Sequence, residues 1–475
     1  MKSPVLLAAM LGVAIAACGR PVAQVVHPPA PNLTTAIVGA SLWDGTGRAS
    51  VANAVTLVQG DRILCAGGTG ECPIPRGARV IDANGRYLIP GLIDSHVHLL
   101  FLSNGSAGEE LALDLRDLLA QGVTTVRDMG GNPAELLPRV HTMTAAPRVY
   151  AMQLVAGRRF FFNGLRGVAT ARGTIYRQPP ALTMQRMGWA PMLYTPGTDP
   201  DSLVTEARNA GATGLKLYAQ LDSTSVHRLV AAARRAGMSV WGHAWVQPAS
   251  VLEQSVGGQD GVVHAAGLAG ELYNAEDRER LVNDGDLQAA TALVGTVGSA
   301  HDPRVLAALD SMAHRGTFFE PTLDATRHSV DHYNAQSRRR PSVQEEYVRA
   351  ASSFGMEVTR EAVARGVRIS AGSDHVAYGL GRDRATLFGE LQLLVDSIAL
   401  SPTAALLAAT RDAAAAIGGE NGARIGTIET GRYADLVLLS KNPLENIANL
   451  EAVEWVMLGG RVWRPGQLRS GIALR

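Results

Sequence analysis

Two histidines separated by one residue are the first sign of chemistry in this chain. They close the run Pro90-Gly91-Leu92-Ile93-Asp94-Ser95-His96-Val97-His98, which is apolar enough for a strand. Side chains at i and i+2 of a strand point to the same face, so His96 and His98 face together, as two imidazoles gripping one divalent cation must. Taken alone, His-x-His is a chance pair as readily as a metal motif. Four further chemically capable residues, however, stand at the ends of later apolar runs. They are Lys216 in Gly214-Leu215-Lys216-Leu217-Tyr218, His243 in Trp241-Gly242-His243, His264 in Val262-Val263-His264, and Asp374 in Ala371-Gly372-Ser373-Asp374. Any one of them could be a hydrogen-bonded core residue. With only 12 His in the chain, coincidence explains the whole set less well than a site does.

Elements of a definite kind must position these residues. The chain alternates strand-like and helix-like runs, the pattern of βαβ units and a parallel sheet. Candidate strands are Leu92–His98, Thr124–Asp128, Arg148–Leu154, Thr213–Tyr218, Ser239–His243, Gly261–His264, Thr317–Pro321 and Arg368–Ser373. This set predicts the α/β class and a closed (β/α)₈ TIM barrel, with the active site at the C-terminal ends of the strands. The helix after the fourth strand is capped by Ser223 or Ser225, packs through Val226, Leu229, Val230 and Ala233, and ends at Gly237. Ser401-Pro402 opens a later one. Short runs at Ala36–Val38, Ala54–Val58, Arg62–Leu64 and Arg79–Ile81 predict small strands before the barrel. Similar runs return at Ala434–Leu439 and Val453–Val462, with a turn at Gly459-Gly460. Both chain ends therefore build a small composite β-sandwich domain, residues 34–88 and 426–475, around a barrel of residues 89–425. The long connections Ala156–Pro200 and Leu323–Pro341 read as lids.

Composition narrows the class of function. Lys and Arg number 44 against 43 Asp and Glu, a net charge of +1 that gives no field to steer a polyanion, so nucleic acid is not an expected partner. A 46% hydrophobic and 18% charged chain is not disordered throughout. Lys2 precedes an apolar run from Val5 to Ala17, shorter than the roughly 20 residues of a spanning helix and typical of an export signal. Its end, Ile15-Ala16-Ala17-Cys18-Gly19, resembles the lipobox of bacterial lipoproteins. That resemblance implies a signal peptide over 1–18, acylation of Cys18, a membrane lipid anchor, and a place in the bacterial periplasm or cell envelope. An ordinary cleaved signal is the alternative. Residues 19–33 form a Pro-rich tether. Cys65 and Cys72 are either a local disulfide, as an oxidising compartment permits, or a free buried pair.

Beyond the leader, nearly the whole chain resembles the amidohydrolase superfamily, in its imidazolonepropionase-like and Xaa-Pro dipeptidase-like branch. The resemblance rests on Pro90–His98, Gly122–Asp128, Lys216, His243, His264, Gly372–Asp374 and the closing Ile425-Gly426 to Ala434-Asp435-Leu436-Val437 signature. It departs in Ala-Ala after His264 and Ala-Trp-Val after His243, which bear on substrate choice rather than metal binding. The resemblance implies two divalent metal ions, one held by His96, His98 and Asp374 and the other by His243 and His264. A buried free lysine would be costly or neutral. In the family the matching lysine is carbamylated by carbon dioxide, so Lys216 is implied as the bridging ligand. The donors suit Zn²⁺, and also Mn²⁺, Co²⁺ or Fe²⁺.

The implied reaction is hydrolysis of an amide or peptide C–N bond by a metal-bridging hydroxide, with Asp374 as proton shuttle. Tyr218, on the same strand face as Lys216, is a donor to the developing oxyanion or else an aromatic filling the barrel. In the segment Arg158 to Arg166, the residues Arg158, Phe161 and Arg166 would suit the carboxylate and apolar group of a dipeptide, an Xaa-Pro dipeptide or an N-acyl amino acid. The phenylalanines equally could pack the lid onto the barrel. His375 and Arg382 are further contacts to a small-molecule substrate, whereas His301, His314, His328 and His332 read as solvated. The rival readings are a mononuclear deaminase or cyclic-amide hydrolase, and a binding lipoprotein that has lost turnover. A homo-oligomer is left open.

Overall fold

The computed structural model describes residues 33–100, 107–130, 132–158, 160, 168–170, 173–175, 190–244, 246–276, 278, 298–328, 343–376 and 385–470. The leader, Cys18 and most of both long connections lie outside these residues.

The alternation of apolar runs and amphipathic helices folds into a parallel barrel. Its strands are Leu92–His98, Val123–Asp128, Arg148–Gly157, Gly214–Leu217, Ser239–His243, Gly261–Val263 and Phe318–Glu320, followed by an interrupted eighth, Arg368–Ile369 and His375–Val376. The first piece of strand eight pairs with strand seven and the second with strand one, which closes the ring. Several strands differ by a few residues from their expected bounds. Strand three runs on to Gly157, because Met192–Tyr194 adds to it in parallel beyond Leu154. Strand six stops at Val263 because His264 turns to a φ of 70°.

The helices bury their apolar stripes against this ring. In Ser223–Arg235 the residues Val226, Leu229, Val230 and Ala233 are all buried, as their spacing requires. The cap is not a serine: the Asp222 side chain accepts the Ser225 amide at 2.7 Å. An aspartate one position upstream serves the same N-terminal donors and also meets the helix dipole. At Pro402–Ala408 the expected Ser401 cap is present.

Strands from the two chain ends join in one eight-stranded sheet beside the barrel. Leu436–Leu439 inserts between Tyr87–Pro90 and Val453–Leu458. Gly459 and Gly460, with φ of 54° and 78°, turn the chain into Arg461–Trp463. Arg148 at the start of strand three clamps Asp435 through two hydrogen bonds of 2.6 and 3.1 Å, tying barrel to sheet. Cys65 and Cys72 form a disulfide with their Cα atoms 5.7 Å apart. Among the described residues, no helix is long and apolar enough to cross a membrane.

Candidate metal centre

Inside the barrel, packing leaves one end for polar chemistry. Met152, Trp241, Val263 and Phe318 form a buried cluster within the ring. At the C-terminal ends of the strands the side chains become His96, His98, Lys216, His243, His264 and Asp374.

The structure brings these six together. His96 and His98 leave strand one with ring centroids 5.2 Å apart. Asp374 enters from strand eight, its Oδ1 3.1 Å from His98 Nε2 and 3.4 Å from His96 Nε2. Ligand atoms of these three lie within 4.8 Å of one another, close enough to share a cation. His264 lies 4.9 Å from the His96 ring and 4.4 Å from that of His243, so the rings run in a continuous row. His264 Nδ1 is 2.9 Å from the Thr322 hydroxyl and 3.8 Å from Asp374 Oδ2.

Backbone strain collects at the same end. Gln220, His264 and Thr322, which follow strands four, six and seven, and Asp374, between the two pieces of strand eight, all have positive φ without being glycine. Such residues each cost about 1–3 kcal/mol and persist where the surroundings over-determine them. Asp94 shows how: its Oδ1 accepts the amides of Ser373 at 2.9 Å and His96 at 3.2 Å, and its Oδ2 accepts the Ser373 hydroxyl at 2.6 Å. At Gly372 any side chain is barred, since a Cβ would fall 2.5 Å from the His96 Cβ.

Electrostatics favour neutral nitrogen donors around one anion. Burial drives His96, His243 and His264 well below the usual histidine range, with Lys216 adding to the effect in each. Burial works to raise Asp374, but His96, His98 and Lys216 outweigh it and keep the carboxyl below its ordinary value. Lys216 is 1% exposed, and its Nζ has no hydrogen-bond partner among the described residues. Burial lowers its amine to about 7 against the pull of Glu320 and Asp374. An unpaired buried amine is costly, and the neutral form that burial favours can be modified. Neutral imidazoles, a carboxylate and a lysine of this kind fit the donor set for divalent metal.

His375 turns its Nε2 to Asp114 on the helix Ala107–Ala120, at 2.9 Å, and is buried there rather than facing the histidine row. Arg158 is exposed just beyond strand three. Phe161, Arg166, Arg382 and His332 lie outside the described residues. Tyr218 lies beside the centre, its ring 5.3 Å from His243 and 5.1 Å from the buried Phe160. His301 is exposed and 3.3 Å from Glu361. Sequence reasoning overlooked Asp94, Arg127, Glu320 and Thr322. Asp94 shares the strand face of His96 and His98, and Glu320 ends an apolar strand as the singled-out residues do, so both carried a signal.

The sequence profile of the amidohydrolase family matches residues 87–463. Imidazolonepropionase of Symbiobacterium thermophilum is 27% identical over 366 residues, which cover 76% of this chain and 77% of the relative. Among solved structures, a prolidase complexed with N-methylphosphonate-L-proline superposes with a TM-score of 0.67 at 23% identity, over 91% of this chain and 99% of the other. A Xaa-Pro dipeptidase with bound methionine superposes with a TM-score of 0.64 at 21% identity, over 91% and 100%. These structures share the fold. The profile match spans barrel and terminal sheet alike, and the chain belongs to the amidohydrolase family as a metal-dependent hydrolase of carbon–nitrogen bonds in small molecules.

Proposed function

We propose that the protein is a binuclear amidohydrolase cleaving the amide bond of a dipeptide, an Xaa-Pro dipeptide or an N-acyl amino acid. The observation that carries this reading is Lys216, a buried lysine whose Nζ lacks a hydrogen-bond partner among the described residues and which burial brings to about 7. A neutral amine can take up carbon dioxide as a carbamate, which turns a non-ligand into an anionic bridge. His96, His98 and Asp374 would hold one divalent ion and His243 and His264 the other, with modified Lys216 between. Zn²⁺ suits the donors.

Ions bound there supply an activated water at neutral pH and polarise a substrate carbonyl. The protein's own groups do the rest. Asp374, whose carboxylate lies 3.1 Å from His98 Nε2 and 3.4 Å from His96 Nε2, accepts a proton from the attacking water and returns it to the departing nitrogen. Tyr218, held between Phe160 and His243, offers its hydroxyl to the developing oxyanion. The prolidase and Xaa-Pro dipeptidase likenesses support a dipeptide-type substrate, and Arg158, with Phe161 and Arg166 of the same segment, would meet its carboxylate and apolar side chain.

The second reading is a one-metal deaminase or cyclic-amide hydrolase, favoured by the relative named imidazolonepropionase. The two separate by product. Zinc-loaded protein incubated with Xaa-Pro dipeptides and N-acyl amino acids should release free amino acid; ammonia release from amines, or ring opening of a cyclic amide, with no linear amide cleaved would contradict the leading reading. The Cys65–Cys72 disulfide supports an oxidising compartment, and with it export and anchoring at Cys18. Release of a Cys18→Ser variant from membranes would be the expected sign of that anchor.

A further inference from the structure

Strand seven supplies no ligand in the reading above, yet its last residue reaches the centre. Glu320 is fully buried, with Oε1 2.9 Å from His96 Nδ1 and Oε2 3.0 Å from Arg127 Nη2. The Ser95 hydroxyl also touches Oε2. Arg127 is itself fixed: its Nε donates to the Ser95 carbonyl at 2.9 Å, its Nη1 to the Ala416 carbonyl at 3.0 Å, and its guanidinium lies 3.8 Å over the Trp241 ring. Gly372 closes the other side, where a Cβ would meet the Glu320 carboxyl carbon at 2.8 Å. The carboxylate therefore has one place to be.

Its chemistry follows from that placement. A neutral imidazole carries one N–H, and a carboxylate acceptor at Nδ1 puts the hydrogen there. His96 then presents its Nε2 lone pair toward Asp374, and this nitrogen is buried without a hydrogen bond among the described residues. An amide could not replace the carboxylate simply, because both oxygens face donors, His96 on one side and Arg127 on the other. We infer that Glu320 is a positioning residue of the metal centre, the acceptor that sets the tautomer and ring plane of His96, with Arg127 holding Glu320. This rests on His96 being a metal ligand, as proposed above.

The test compares two double variants of the full chain, Glu320→Gln with Arg127→Met and Glu320→Leu with Arg127→Met. Both remove the buried charge pair, and only the first retains an acceptor for His96 Nδ1. Zinc release to a chelator and the visible spectrum of the Co²⁺-substituted proteins are read, with thermal unfolding of the metal-free forms alongside. The leucine variant should lose metal roughly 10- to 100-fold faster than the glutamine variant and show an altered Co²⁺ spectrum. Equal release and equal spectra, whatever the unfolding temperatures, would overturn the role of Glu320 while leaving a zinc-loaded wild type intact. A wild type that takes up no metal would overturn both this role and the metal reading.

Discussion

Asp94 holds the turn that carries Asp374, its carboxylate accepting both the amide and the hydroxyl of Ser373, at 2.9 and 2.6 Å. Strand one thus fixes the end of strand eight as well as supplying His96 and His98. Asp94→Ala leaves the buried Ser373 amide unpaired, at a cost of about 1–3 kcal/mol, and frees Asp374 to shift. Amide hydrolysis should fall by on the order of 10²-fold, whereas Asp94→Asn, which keeps an acceptor, should lose much less. Equal losses in the two variants would show that the turn does not depend on this acceptor.

Tyr218 places its ring beside the metal centre, 5.3 Å from that of His243, as the candidate donor to the oxyanion. Tyr218→Phe keeps a ring beside Phe160 and His243 and removes only the hydroxyl. The expected result is a kcat roughly 10²- to 10³-fold lower with metal content unchanged. Unaltered kcat would assign the ring to packing.

Away from the centre, Glu390 is buried and accepts the Asp324 amide at 2.8 Å, while Asp324 pairs with Arg327 at 2.6 Å. Burial pushes the Glu390 carboxyl up to about 8 from 4.5. Between those values the folded protein binds more protons than the unfolded chain, so this group makes stability decline as pH rises through the window. Glu390→Gln preserves an acceptor and removes the charge. Its Tm at fixed zinc should exceed that of wild type at pH 8.5, with the gap closing toward pH 5. Glu271, buried and held up to about 7, acts with the same sign in both proteins and cancels. Parallel Tm profiles would contradict the assignment.

What the sequence disclosed and what it hid divide along physical lines. The period-2 pairing of His96 with His98 was legible because strand geometry admits one reading of i and i+2. The barrel was legible because apolar runs alternated with capped amphipathic helices. Glu320 and Arg127 escaped notice because a paired buried ion looks, in one dimension, like any charged residue beside an apolar run. Only the ring brings strands two and seven to His96. His375 misled for the opposite reason: adjacency to Asp374 suggested the site, whereas Asp374 lies at a positive φ just before the strand piece His375–Val376, and the His375 ring meets Asp114. The Asp222 cap displaced the serine reading because an aspartate at the preceding position reaches the same amides.

The central claim is that Lys216 joins two metal ions, and counting metal tests it most directly. Protein loaded with Zn²⁺ in bicarbonate should hold close to two ions per chain, and Lys216→Ala should hold fewer and lose amide hydrolysis. One ion per chain, unchanged by removal of Lys216, would contradict the bridged centre and leave the one-metal reading.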